Sequence, residues 1–134
     1  MFLNTVYIMV SLIPLIYMMY IILANMSTLP EKIPMHFNIK GKADAYYTKK
    51  LLWIFPLICL LCNFITIIPD QNTIIYLLFY SPTSIFIAYI TYMIIDIAKK
   101  GGDKISPKFF IILIIYIIYI ILSKYIFAMA PQIK

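Results

Sequence analysis

The chain has 134 residues, 64% of them hydrophobic and only 12% charged, with a mean hydropathy of +0.98. Soluble domains run near half apolar and a quarter charged, so this excess argues against a water-soluble globule and for a lipid bilayer as solvent. The formal charge of +6 comes wholly from lysine, without one arginine, which speaks against a nucleic-acid-reading surface, where the planar guanidinium fork is favoured.

The first apolar segment runs from Thr5 to Ala24. It approaches the ~20 residues that cross a bilayer core. No lysine precedes it, and Leu23-Ala24-Asn25-Met26-Ser27 is a poor cleavage site, so it reads as an uncleaved helix rather than a signal peptide. Pro14 lies inside it, as Pro56 and Pro82 lie inside later segments. Each removes a backbone bond and can kink its helix.

Residues 25–50 form a loop far longer than a turn requires, and long ordered connections tend to carry function. The loop holds the chain's single histidine. Pro30 and Pro34 bias the residues before them toward extended backbone. Ile33, Met35 and Phe37 then alternate with Pro34, His36 and Asn38 at strand period. Asn38-Ile39-Lys40-Gly41 suits a type I turn, which becomes a three-residue hairpin loop with a bulge if Gly41 is left-handed. In that register Asn38 closes against Lys42, Phe37 faces Ala43, and His36 faces Asp44. Three readings of the His36–Asp44 pair stay open. It orients a ligand or pins the hairpin; it forms a metal site with Glu31, although no second histidine supports this; or it works as a general acid–base, although no nucleophile motif surrounds Ser27, Thr28 or Thr48. The first is preferred, with no catalytic residue, metal or cofactor assigned.

The second segment spans Leu51–Pro69 and contains Cys59-Leu60-Leu61-Cys62. In an apolar run this reads as two small buried side chains, because a redox pair needs an accessible, electropositive setting. Pro69-Asp70-Gln71-Asn72 is a tight turn into the third segment, Thr73–Ala98. Asn63 and Ser81-Pro82-Thr83-Ser84 read as interhelical hydrogen-bonding groups rather than a ligand pocket. Tyr76 and Tyr80, and likewise Tyr116 and Tyr119, read as packing between helices, and Trp53, Phe109 and Phe110 as an interfacial belt. The glycines of the basic loop 99–108 end the third helix, and Pro107 suits the start of the fourth, Phe109–Ala130. Asp96 and Lys124 are the only ionisable acid and base drawn into the spans. Both lie near an end, so the mid-membrane relay of a proton pump or ion carrier is missing.

The expected fold is therefore an all-α integral membrane protein: one domain, 1–134, with four transmembrane helices (5–24, 51–69, 73–98, 109–130) and a short structured hairpin in the motif loop 25–50. Lysines 32, 40, 42, 49, 50, 99, 100, 104 and 108 share one side, so the positive-inside rule places the long loop in the cytoplasm and both termini outside.

The pattern Leu29-Pro30-x-x-Ile33-Pro34-x-His36-Phe37-Asn38-x-x-Gly41-x-x-Asp44-x-Tyr46-x-x-Lys49 resembles the uncharacterised membrane domain at the N-terminal end of SdpI-type toxin-immunity proteins. The resemblance covers about a fifth of the chain and implies a multi-pass protein of the bacterial cytoplasmic membrane with no established enzymatic activity. Pro34, His36, Asn38, Gly41, Asp44 and Lys49 would be its ligand-binding or structural motif positions. For SdpI-type members it implies protection against a membrane-active toxic peptide and contact with a membrane-protein partner. Such proteins carry a second helical module after this domain, and 134 residues do not hold a full one. The expected function is non-enzymatic immunity or resistance to a membrane-active peptide or envelope stress. The helices would supply an apolar groove, and the His36/Asp44 loop would cap it. The expected partners are the lipid bilayer and such a peptide or membrane protein. The alternatives are a membrane-embedded or metal-dependent enzyme acting on a lipid or peptide through His36 and Asp44, and a structural subunit of a membrane complex.

Overall fold

A computed structural model describes residues 2–65 and 73–129, with side-chain surroundings for 9–10, 12–63 and 81–125. The element order is α1 (Phe2–Asn25), β1 (Lys32–Phe37), β2 (Ala43–Thr48), a 3-10 segment (Lys49–Trp53), α2 (Ile54–Ile65), α3 (Thr73–Lys99) and α4 (Pro107–Met129). The described chain is thus mostly helical, with four helices and one two-stranded antiparallel sheet. The expected turn at 69–72 and the side chains of Tyr76 and Tyr80 lie outside the described residues.

Ser81–Lys99 and Pro107–Tyr125 are the two stretches, among the described residues, long and apolar enough to cross a membrane. They differ in surroundings: half of the first is buried inside the protein, against 6% of the second. α4 presents Ile111, Ile114, Ile115, Ile118 and Ile121 outward and meets α3 through aromatic contacts. Tyr116 stacks on Phe86 at 4.3 Å, and its hydroxyl lies 2.8 Å from Thr83 Oγ1. The packing expected of Tyr116 is realised there.

α1, α2 and α3 share the interior. Leu15, Met18, Cys59 and Ala88 form one buried cluster. A larger one joins Ile21, Ile22 and Leu29 to Leu52 and to Met93–Ile95, Ile97 and Ala98, and takes in Ile33 from β1. The hairpin is therefore part of the core. Full burial of one such isoleucine contributes roughly 1.5–3 kcal/mol.

The second helix begins later than expected. Lys49–Trp53 is 3-10, and α2 starts at Ile54, three residues after Leu51. Proline has no N–H to donate to the carbonyl four residues back, and in a first turn no intrahelical bond is lost by that, so Pro56 suits the first turn of α2. It consequently opens α2 instead of kinking it, whereas Pro14 and Pro82 do lie within α1 and α3. α3 ends as its glycines suggest. Gly101 takes φ +62°, Gly102 N donates to Ile97 O at 3.0 Å and Gly101 N to Ala98 O at 3.2 Å, a Schellman closure.

Candidate functional site

The hairpin is assembled from the tip outward. Gly41 is left-handed, φ +72°, and its N–H donates to Asn38 O at 2.8 Å while Asn38 N donates to Lys42 O at 2.9 Å. The Asn38 side chain adds a local cap: Oδ1 accepts from Lys40 N at 2.9 Å and Lys42 N at 3.1 Å. This is the expected three-residue loop. Asparagine satisfies amides that the tight turn leaves without backbone partners.

The register departs from expectation at one point. Phe37 pairs with Ala43 and Pro34 with Tyr46, but His36 pairs with Ala45 and not with Asp44. Asp44 is an extra residue on β2 and Met35 an extra residue on β1, so two opposed bulges cancel and the outer register is kept. Bulges re-aim side chains. Here the carboxylate of Asp44 still reaches the imidazole, with His36 Nδ1 2.5 Å from Asp44 Oδ1. The expected side-chain pair forms by a different backbone route. Pro34, expected on the polar face, is buried.

Both members of the pair face outward, with 66% of the His36 and 43% of the Asp44 side chain exposed. An ionised carboxylate only accepts hydrogen bonds, so with Asp44 ionised Nδ1 is the donor in this contact. Glu31 does not join them. It lies at the hairpin base, where Lys49 Nζ reaches its Oε1 at 3.1 Å and Leu29 O at 3.0 Å. Among the described residues no three His, Cys, Asp or Glu side chains converge as metal ligands. Thr28 Oγ1 donates to Asn25 O, and Thr48 sits in the ladder opposite Lys32, at the far end of the hairpin from His36.

The six motif positions therefore separate into roles. Asn38 and Gly41 build the tip, Lys49 ties the base to Leu29 in the segment after α1, Pro34 packs, and His36 and Asp44 are the pair offered outward. Their separation in the sequence does not reveal two further ties. Ile105 N donates to Gly41 O at 2.8 Å, and Ala43 N donates to Asp103 O at 2.6 Å. The loop between α3 and α4 thus crosses the hairpin tip as a short bridge, Lys42 opposite Lys104.

A second polar group also escapes sequence reasoning. α1 and α3 run parallel, their ends joined where Lys99 Nζ donates to Asn25 Oδ1 at 2.9 Å. One turn away Lys100 Nζ donates to Asp96 Oδ2 at 2.7 Å, a contact that raises the lysine above its usual pKa. No motif announces this group.

A helical protein with a latched polar hairpin between its first two helices is the class that fold and site define. The model of a family described as a domain of unknown function (DUF1648) matches residues 12–60, from the middle of α1 through the hairpin into α2. No curated protein and no solved structure matches the chain.

Proposed function

We propose that the chain is a non-enzymatic, multi-pass protein of the bacterial cytoplasmic membrane that protects against a membrane-active peptide. In this reading residues 1–134 form one domain, four helices cross the bilayer (5–24, 51–69, 73–98 and 109–130), and the hairpin is the surface that meets the peptide or a membrane-protein partner. The observation that carries it is the outward His36–Asp44 pair on a hairpin latched to the core by Ile33, to Leu29 in the segment after α1 by Lys49, and to the α3–α4 loop by Gly41 and Ala43. Such a surface is preformed, so little ordering is needed when a partner binds. The SdpI-type resemblance of Pro34, His36, Asn38, Gly41, Asp44 and Lys49 supplies the class of partner. The exposure of the pair supports recognition of a group that approaches from outside.

The test is growth of cells producing wild-type protein, His36→Ala protein or neither, under a panel of membrane-active peptides, with membrane levels matched by immunoblot. Wild type is expected to extend survival against at least one peptide, and His36→Ala to lose that gain. Equal survival of all three would overturn the proposal.

A further inference from the structure

A groove runs between α1 and α3, away from the hairpin. Its apolar part, about 310 Å³, lies between Ile13 and Pro14 on one side and Ile85 and Ala88 on the other, with Tyr17 and Tyr92 at one end. The same two tyrosines open a second part of about 450 Å³, bounded by Asn25, Asp96, Lys99 and Lys100. Neither His36 nor Asp44 lines either part. The polar mouth of this groove is formed by the ends of α1 and α3 rather than by the His36–Asp44 pair.

The groove changes character along its length from aliphatic to phenolic to cationic. We propose that it holds one anionic glycerophospholipid, the acyl chain along Pro14 and Ala88 and the phosphate on Lys99 and Lys100. Ala88 is buried and presents only a methyl, while Ile13 and Ile85 stand as exposed rims, so a chain-wide channel is left between two parallel helices. From Ile13 to Asn25 a helix rises about 18 Å, close to one leaflet of a ~30 Å hydrocarbon core. That length fits a membrane lipid lying upright. Tyr17 and Tyr92 stand between the aliphatic part of the groove and its cationic mouth.

The charge at the mouth is arranged for an anion. Asp96 offsets one of the two lysines, leaving one net positive charge among the lining residues. Each ammonium has three donors, and each uses one on a fixed partner, Asn25 Oδ1 or Asp96 Oδ2. Asn25 is itself oriented by Nδ2 donating to Ile21 O at 2.6 Å. The partners hold both lysines over the groove with donors to spare. Basic pockets between membrane helices at their cytoplasmic ends take anionic headgroups in this way. The inference rests on the membrane reading of α1 and α3, and is independent of peptide protection.

The full chain is purified in detergent and followed by native mass spectrometry and thermal unfolding with phosphatidylglycerol, phosphatidylcholine of matched chains, or inorganic phosphate. Phosphatidylglycerol is expected to bind about tenfold more tightly than phosphatidylcholine and to raise the unfolding temperature; phosphate alone is expected to do neither. Lys99→Gln with Lys100→Gln should abolish the lipid preference, and Ile85→Trp should weaken both lipids by filling the channel. Lys104→Gln with Lys108→Gln should leave the preference intact. Equal binding of the two lipids, an equal response to phosphate, an equal loss in both lysine pairs, or a doubled chain mass without lipid would each overturn the inference. Recovery of folded protein without detergent would instead overturn the membrane reading beneath it.

Discussion

His36 and Asp44 touch through their side chains, Nδ1 to Oδ1 at 2.5 Å, yet are not partners in the strand ladder, where His36 opposes Ala45. An unbulged hairpin with the same tip would have set them opposite each other. Two bulges, at Met35 and Asp44, displace the backbone and return it to register within three residues. The pair therefore depends on both strands being irregular together. Water reaches it from outside while Ile33, two pairs along β1, is sealed in the core.

Exposure separates the pair's contribution to recognition from its contribution to folding. Exposed ion pairs are worth at most about 1 kcal/mol, so Asp44→Ala should shift thermal unfolding of the purified protein little, while the proposed peptide protection should be lost as is expected for His36→Ala. Asp44→Asn keeps an acceptor for Nδ1 and should retain part of the protection. A loss of several kcal/mol in Asp44→Ala would make the pair a structural tie instead.

Gly41 meets two independent constraints. A non-glycine residue in the left-handed region costs about 1–2 kcal/mol, and a Cβ there would lie 3.2 Å from Phe110 Cε2. Gly41→Ala is expected to destabilise by about 1–2 kcal/mol from the backbone term and more where Phe110 cannot yield. Measured in a Phe110→Ala background, the same change should retain the backbone term and lose the steric one. Identical penalties in both backgrounds would show that the ring moves freely.

Lys49 and Glu31 form an ion pair with unequal surroundings, 15% and 83% of the side chain exposed. Lys49→Met removes the donor to Leu29 O and should cost about 1–3 kcal/mol, the usual penalty for stranding a buried acceptor. Glu31→Gln should cost less than about 1 kcal/mol. Unfolding curves showing the reverse order would refute the assignment of Lys49 as the hairpin's basal tie.

Lysine placement predicts a cytoplasmic hairpin. With Cys59 and Cys62 replaced by serine, Lys40→Cys is expected to react with a membrane-impermeant thiol reagent only after cells are permeabilised. Labelling of intact cells would put the hairpin outside.

Much of the site was legible because its chemistry is local. Asn38 and Gly41 are three residues apart and specify their turn through an amide-capping side chain and a left-handed φ. The alternation of Ile33, Met35 and Phe37 marked the face turned to the core, and that face packs there. The onset of α2 at Ile54 differs from the expected Leu51 because the apolar run continues unbroken through the 3-10 segment, so hydrophobicity marks no boundary before Pro56. The bulges were invisible because they preserve the outer register that the turn dictates.

Apolar excess, punctuation by proline and glycine, and a short polar motif determined from sequence alone that this chain is largely helical and that a hairpin follows its first helix. These features act over a few residues, through backbone sterics and the aversion of hydrocarbon to water. Only the tertiary structure decided that Asp103 and Ile105 cross the hairpin tip, that Lys99 meets Asn25, and that a graded groove opens between α1 and α3. Lys99 and Asn25 are 74 positions apart, and nothing local links them. Their contact exists because two parallel helices end at the same level.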